Sequence, residues 1–205
     1  DKLDAYWMPF TANKQFKLNP RILSKAKGMY YTKSNGKKLL DGTSGLWCVN
    51  AGHGRREISL AIKKQIELLD YSPAFQMGHK KVFRLAEDLS NMLPKNINKI
   101  FFTNSGSEAV ETSLKIVHYY HGLLGKKEKK IIIGRERSYH GVNYGGISVG
   151  GIQNNRDNFG QLLTKIKHLP HTHNLEKDSF SKGQPKWGAH LANNLEHVIK
   201  KFSSK

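Results

Sequence analysis

The stretch Lys99–His121, KIFFTNSGSEAVETSLKIVHYYH, decides how the chain is read. Ile100, Phe101, Phe102 and Thr103 form a short β-branched and aromatic run, the pattern of a buried strand. Asn104 ends it, and from there Val110, Leu114 and Val117 recur at spacings of four and three, with Ile116 and Tyr120 beside them, which predicts an amphipathic helix. The segment between is therefore a strand-to-helix turn. Ser105 and Glu108 stand in the S-x-x-E relation of a capping box, each able to satisfy a free backbone N–H at the start of the helix. The same residues admit a second reading. Gly106 would let an anion approach the backbone, and the free N–H groups with the Ser105 or Ser107 hydroxyl would hold a phosphate at the positive helix end. Spacing alone does not choose between cap and phosphate cup. The turn is neither a Walker loop nor G-x-G-x-x-G, so a nucleotide is not favoured.

Working outward, GMYYTKSNGKKLLDG places two short runs around Asn35-Gly36, the strongest local hairpin signal. GTSGLWCVNAGHG is a Gly-rich irregular loop holding Trp47 and His53. Ile58, Ile62, Ile66 and Leu69 restore a helical period, and Val82, Leu85, Leu89 and Met92 give another helix after the loop YSPAFQMGH. Beyond the opening stretch, Ile131–Ile133 reads as a second buried strand, ending in a loop that carries Tyr139, His140 and Gly141. Residues 151–188 read as a long His- and Asn-rich connecting loop, and Leu191, Leu195, Val198 and Phe202 mark a last helix. Strands alternating with helices imply an α/β fold whose site lies at the carboxyl ends of the strands, with both polar loops on that edge. A helix in this layout hands over to a further strand, so the ending reads as premature.

Composition narrows the function classes. Hydrophobic residues at 38% and charged residues at 24% describe a soluble protein, and no apolar run nears the ~20 residues of a membrane span. The first residues lack the layout of a signal peptide, which predicts a cytoplasmic protein. A single cysteine, Cys48, makes neither an internal disulfide nor a metal site, leaving a buried small hydrophobe or a reactive thiol. With 34 Lys and Arg against 16 Asp and Glu the net charge is +18, which invites nucleic acid as a partner. The lysines are scattered, however, and only KKEKK at 126–130 is dense, so a solvated basic surface is the better account.

Five segments in order, residues 9–54, 71–79, 101–116, 134–152 and 168–174, together resemble the N-terminal half of the class III aminotransferases, and within them the β-alanine:pyruvate or ω-amino-acid:pyruvate transaminases. The resemblance implies the fold of type I pyridoxal-phosphate enzymes. Here that would be an incomplete large domain over 61–205, with a mixed, mainly parallel sheet and helices on both faces, and a small-domain segment over 1–60 carrying the β-hairpin. It further implies that Ser105, Gly106 and Ser107 hold the phosphate of pyridoxal 5'-phosphate, that Tyr139 stacks on the pyridine ring with His140 and Gly141 completing the loop, that Trp47 walls the substrate pocket, and that Phe75 reaches the neighbouring subunit's site in a homodimer.

In that family a lysine forms a Schiff base with the cofactor and an aspartate partners the ring nitrogen, moving an amino group from a small donor to a keto acid such as pyruvate. Both residues are expected beyond position 205. The resemblance therefore implies a C-terminally truncated chain with half a cofactor site and no catalytic residue of its own, inactive alone. A non-catalytic truncated paralogue that pairs with a full-length transaminase is the alternative reading, and a basic nucleic-acid binder a further one.

Overall fold

The computed structural model describes residues 3–159 and 162–202. They form two compact units, Asp1–Met92 and Leu93–Lys205.

The first unit opens with a short helix, α1 (Asn13–Leu18), and a three-stranded antiparallel sheet, β1 (Leu23–Lys27), β2 (Tyr30–Lys33) and β3 (Lys38–Leu40). Tyr30 pairs with both Lys27 and Leu40, and Tyr31 with Leu39. The hairpin stands where Asn35-Gly36 placed it. Of the two, only Gly36 takes a positive φ, at 81°. Its N–H donates to the Lys33 carbonyl at 2.9 Å while the Lys33 N–H donates to the Lys37 carbonyl at 2.8 Å, a three-residue loop closed by a glycine bulge.

After β3 the chain makes a turn, α2 (Ser44–Trp47), of the opposite hand to an ordinary helix. Ser44, Gly45, Leu46 and Trp47 have φ of 53°, 60°, 58° and 74°. The N–H groups of Trp47 and Cys48 still donate four residues back, to Thr43 and Ser44, at 3.0 and 2.9 Å. A left-handed turn costs roughly 1–2 kcal/mol at each non-glycine residue, so contacts outside the turn must hold it. Cys48 follows directly and is exposed, which removes the buried-hydrophobe reading. Two amphipathic helices, α3 (Arg56–Leu68) and α4 (Lys80–Met92), match the expected periods and complete the unit.

The second unit contains α5 (Gly106–Leu123), β4 (Ile132–Arg135), α6 (Tyr144–Val149), β5 (Ile166–Leu169), α7 (Leu175–Asp178) and α8 (Asn194–Phe202). β4 and β5 are parallel, with Ile132 opposite Ile166 and Arg135 opposite Leu169. β5 corrects the expectation of an unbroken loop over 151–188. Its sequence IKHL carries only two aliphatic residues, and its stability comes from the ladder with β4 and from His168. The His168 Nε2 lies 3.1 and 2.9 Å from the carbonyls of Val149 and Gly150. Both partners are acceptors, so this nitrogen carries the proton and ties the end of α6 to β5.

The expected strand at Ile100–Thr103 is also corrected: among the described residues it pairs with nothing and is no strand, and Phe101 and Phe102 are 71% and 44% exposed. A strand is completed by its neighbours' hydrogen bonds, and four residues without them stay open. The buried centre of this unit is built from small residues, Gly134, Gly145, Gly146, Ser148 and Gly150, with Val149 and Leu169 the buried hydrophobic side chains among the described residues. No helix among the described residues is long and apolar enough to cross a membrane.

Candidate functional site

The start of α5 is capped as the S-x-x-E spacing predicts. Ser105 is extended, with φ −152° and ψ 159°, and its hydroxyl oxygen accepts the Glu108 N–H at 3.2 Å. The Glu108 carboxylate reaches back and accepts the N–H of Asn104, one residue before the cap, at 2.9 Å. Capping uses the Glu108 donor alone. The N–H groups of Gly106 and Ser107 have no acceptor among the described residues, and a Cβ at Gly106 would meet nothing within 4 Å. Two backbone donors without an acceptor among the described residues therefore stand at the positive end of an eighteen-residue helix. The cap and the anion cup are compatible, because they use different groups.

The loop after β4 closes onto this helix end. Gly141 is buried with φ of 107°, and a Cβ there would lie 2.7 Å from Ser107 Oγ and 2.8 Å from its Cα. No residue but glycine brings the two backbones so near. Ser107 Oγ in turn accepts the Val142 N–H at 3.1 Å. A second tie lies one turn along, where Glu111 Oε1 accepts the Gly146 N–H at 2.9 Å and holds α6 against α5. Ser105, Gly106 and Ser107 are thus brought to the same place as Tyr139, His140 and Gly141, as two polar loops on one edge require. Tyr139 is exposed and His140 half-buried.

Trp47 and Phe75 belong to the first unit and are 82% and 86% exposed. Trp47 stands on the left-handed turn and Phe75 in the 69–79 segment, beside Gln76 at φ 59°.

That unit holds a polar cluster to which the sequence reading gave no role. An Asp41 carboxylate oxygen lies 2.7 Å from His53 Nε2, and the Tyr31 ring stands 4.5 Å from the His53 ring, centroid to centroid. The backbone N–H of Gly45, then the His53 ring and Thr43, hold the Asp41 carboxyl down to about 2 against the opposing effect of burial. Burial, and next the Asp41 charge, push the Tyr31 hydroxyl up. An aspartate directly after a strand and a histidine between two glycines were the available signals; nothing in their spacing joins them.

A groove of about 620 Å³ in the second unit runs along α5 and is lined by Leu114 and Ile166 together with Lys115, Lys127, Lys130 and Lys165. Glu111 lines its near end, and none of Ser105, Gly106 and Ser107 does.

Residues 11–204 match the family described as Aminotransferase class-III. The omega-aminotransferase of Caulobacter vibrioides is 56% identical over 197 residues, which are 96% of this chain and 45% of that protein. The omega-amino acid–pyruvate aminotransferase of Pseudomonas putida is 47% identical over 199 residues, 97% of this chain and 44% of that protein. The chain thus spans less than half the length of these relatives. Among solved structures, a PLP-bound amine transaminase from an uncultivated Pseudomonas species aligns with a TM-score of 0.86 at 32% identity, covering 96% of this chain and 45% of that one. An (S)-enantioselective omega-transaminase from Thermomicrobium roseum aligns equally well, with a TM-score of 0.86 at 32% identity.

Proposed function

Because this chain belongs to the class III aminotransferases, we propose that it is the N-terminal portion of a pyridoxal-phosphate-dependent transaminase that moves an amino group from an ω-amino acid or amine to pyruvate. One observation carries the assignment of the half-site: the N–H groups of Gly106 and Ser107, unpaired among the described residues, beside the loop that Gly141 presses onto Ser107. They fit a phosphate, with the Ser105 and Ser107 hydroxyls as further donors and the α5 dipole adding roughly 0.3–1 kcal/mol. Tyr139 would stack on the pyridine ring, with His140 and Gly141 completing the loop. Bound there, the cofactor supplies the electron sink for the carbon that loses its amino group.

In this reading residues 61–205 belong to the cofactor-binding domain and 1–60 to the small domain. Trp47 walls the pocket for the amino donor, and Phe75 serves the neighbouring site of a homodimer. The residues of this chain bind and orient; the Schiff-base lysine and the ring-nitrogen aspartate of the family match no position in it. The names and identities of the Caulobacter and Pseudomonas relatives support the substrate class.

Two measurements test this. The chain is titrated with pyridoxal phosphate and with pyridoxal, which lacks the phosphate. Binding that depends on the phosphate, weakened about tenfold or more by Ser107→Ala, with no single lysine trapped by borohydride, is expected; equal binding of both compounds refutes the cup. Joining residues 1–205 to the remaining portion of the Caulobacter relative should give an enzyme that transfers the amino group of β-alanine to pyruvate. A well-folded joined protein without that activity refutes the transaminase assignment.

A further inference from the structure

The loop from Asp41 to His53 is closed at its base by backbone hydrogen bonds. The Asp41 N–H donates to the Met29 carbonyl at 2.8 Å, and Gly28 and His53 exchange both backbone bonds, at 2.9 and 2.7 Å. Across this base stands the Asp41–His53 pair, with side chains only 4% and 10% exposed while the tip lies open to solvent. Loops of this length whose ends meet are Ω-loops, packed by their own side chains.

The same carboxylate reaches up toward the tip. It accepts the Thr43 N–H at 3.2 Å and the Thr43 hydroxyl at 3.3 Å, and the Gly45 backbone N–H is the largest influence that holds it charged. Gly45 lies in the left-handed turn, and a Cβ there would come within 3.0 Å of Val49 Cγ2 and 3.1 Å of the Tyr31 hydroxyl. Tyr31 leans on His53. A single carboxylate therefore joins the base of the loop to the residue before the turn, and the Gly45 N–H inside the turn acts on it electrostatically. Leu46 and Trp47 have no reason of their own to adopt a positive φ, so the turn needs such an outside hold.

We propose that Asp41 is the positioning residue of this loop: its carboxylate, backed by His53 and Tyr31, keeps Ser44–Trp47 in the left-handed turn and so fixes the direction in which the Trp47 indole stands. The indole's use as a substrate wall rests on the function proposed above; the hold of Asp41 on the turn does not. Because the backbone bonds close the base without the side chain, removing the carboxylate frees the tip and leaves the sheet standing.

The test uses the whole 205-residue chain carrying Trp7→Phe and Trp187→Phe, which leaves Trp47 as its one tryptophan. Two local readouts are taken: the fluorescence anisotropy of Trp47, and hydrogen exchange at the Gly45, Trp47 and Cys48 amides, with Tyr31 and Leu39 in the sheet as controls. Asp41→Ala is expected to speed exchange at the tip amides at least tenfold and to lower the anisotropy while the sheet amides stay protected. Asp41→Asn, which keeps one acceptor oxygen, should fall between the two. Unchanged tip exchange and anisotropy in Asp41→Ala would overturn the proposal. If Asp41→Ala also loses sheet protection, Asp41→Asn decides: faster tip exchange over an intact sheet supports the proposal, and parental exchange overturns it. A tip that loosens in Asp41→Ala, together with an unchanged KM for the amino donor in the joined enzyme carrying Trp47→Ala, keeps the hold of Asp41 and discards the pocket wall.

Discussion

Ser107 Oγ accepts the backbone N–H of Val142 at 3.1 Å, joining the first turn of α5 to the loop after β4 across thirty-five positions of sequence. Val142 is exposed, so water takes over its N–H when the hydroxyl is removed. Ser107→Ala should therefore cost only about 0.5–1 kcal/mol, at the low end for a hydrogen bond. Urea unfolding of the second unit would show a lower midpoint at constant slope.

Gly141→Ala should be far more damaging than that small deletion. Its φ of 107° strains any side chain, and the new methyl meets Ser107 backbone, which has no free rotation to yield. Overpacking plus the unfavourable backbone region predicts a loss of about 2–4 kcal/mol. A midpoint within experimental error of the parent would show that the two loops are not pressed together.

Ser105 separates helix capping from anion binding. Ser105→Ala removes the cap and should cost about 1 kcal/mol. Ser105→Asp keeps an acceptor for the Glu108 N–H and favours the positive helix end, so thermal stability should hold. Its added charge faces the proposed phosphate, and affinity for pyridoxal phosphate should fall about tenfold or more. Stability and affinity that move together would mean that the turn is a cap only.

Asp41 gives the loop from Asp41 to His53 an acid limit. Its carboxyl is held down to about 2 from an ordinary value of 3.8, so the folded form prefers the charged state. The stabilisation is fully present above about pH 4 and is lost as pH falls through about 2. Protection of the Gly45, Trp47 and Cys48 amides should decline over that window while the Tyr31 and Leu39 amides stay protected, and Asp41→Asn should flatten the decline.

Much of the backbone was readable because its signals are local. The periods of Ile58, Ile62 and Ile66 and of Val110, Leu114 and Val117 specify helices wherever they stand, and Gly36 makes its turn by itself. Residues whose state depends on a distant partner were not readable. Ile100–Thr103 has the composition of a strand but finds no ladder among the described residues. IKHL lacks the composition yet becomes β5, because β4 lies beside it and His168 reaches the carbonyls of Val149 and Gly150. The left-handed turn is the extreme case. Ser44, Leu46 and Trp47 all favour negative φ, and only the convergence of Asp41, Tyr31 and His53 explains why they depart from it. At the candidate site, the Ser105–Glu108 cap was legible from spacing and the meeting of the two polar loops from the strand–helix alternation, while the approach of Gly141 to Ser107 depends on a distant partner and had no local signal.

The parallel pairing of Ile132 with Ile166 sets a schedule for synthesis. The two residues are thirty-four positions apart, and at roughly 5–20 residues per second β4 is made roughly 2 to 7 s before its partner. For that interval Ile132 and Ile133 travel with a bare ladder on both sides. The nascent chain is then most open to capture by a chaperone or by another strand, and slowing translation between Gly134 and Lys165 would lengthen that exposure.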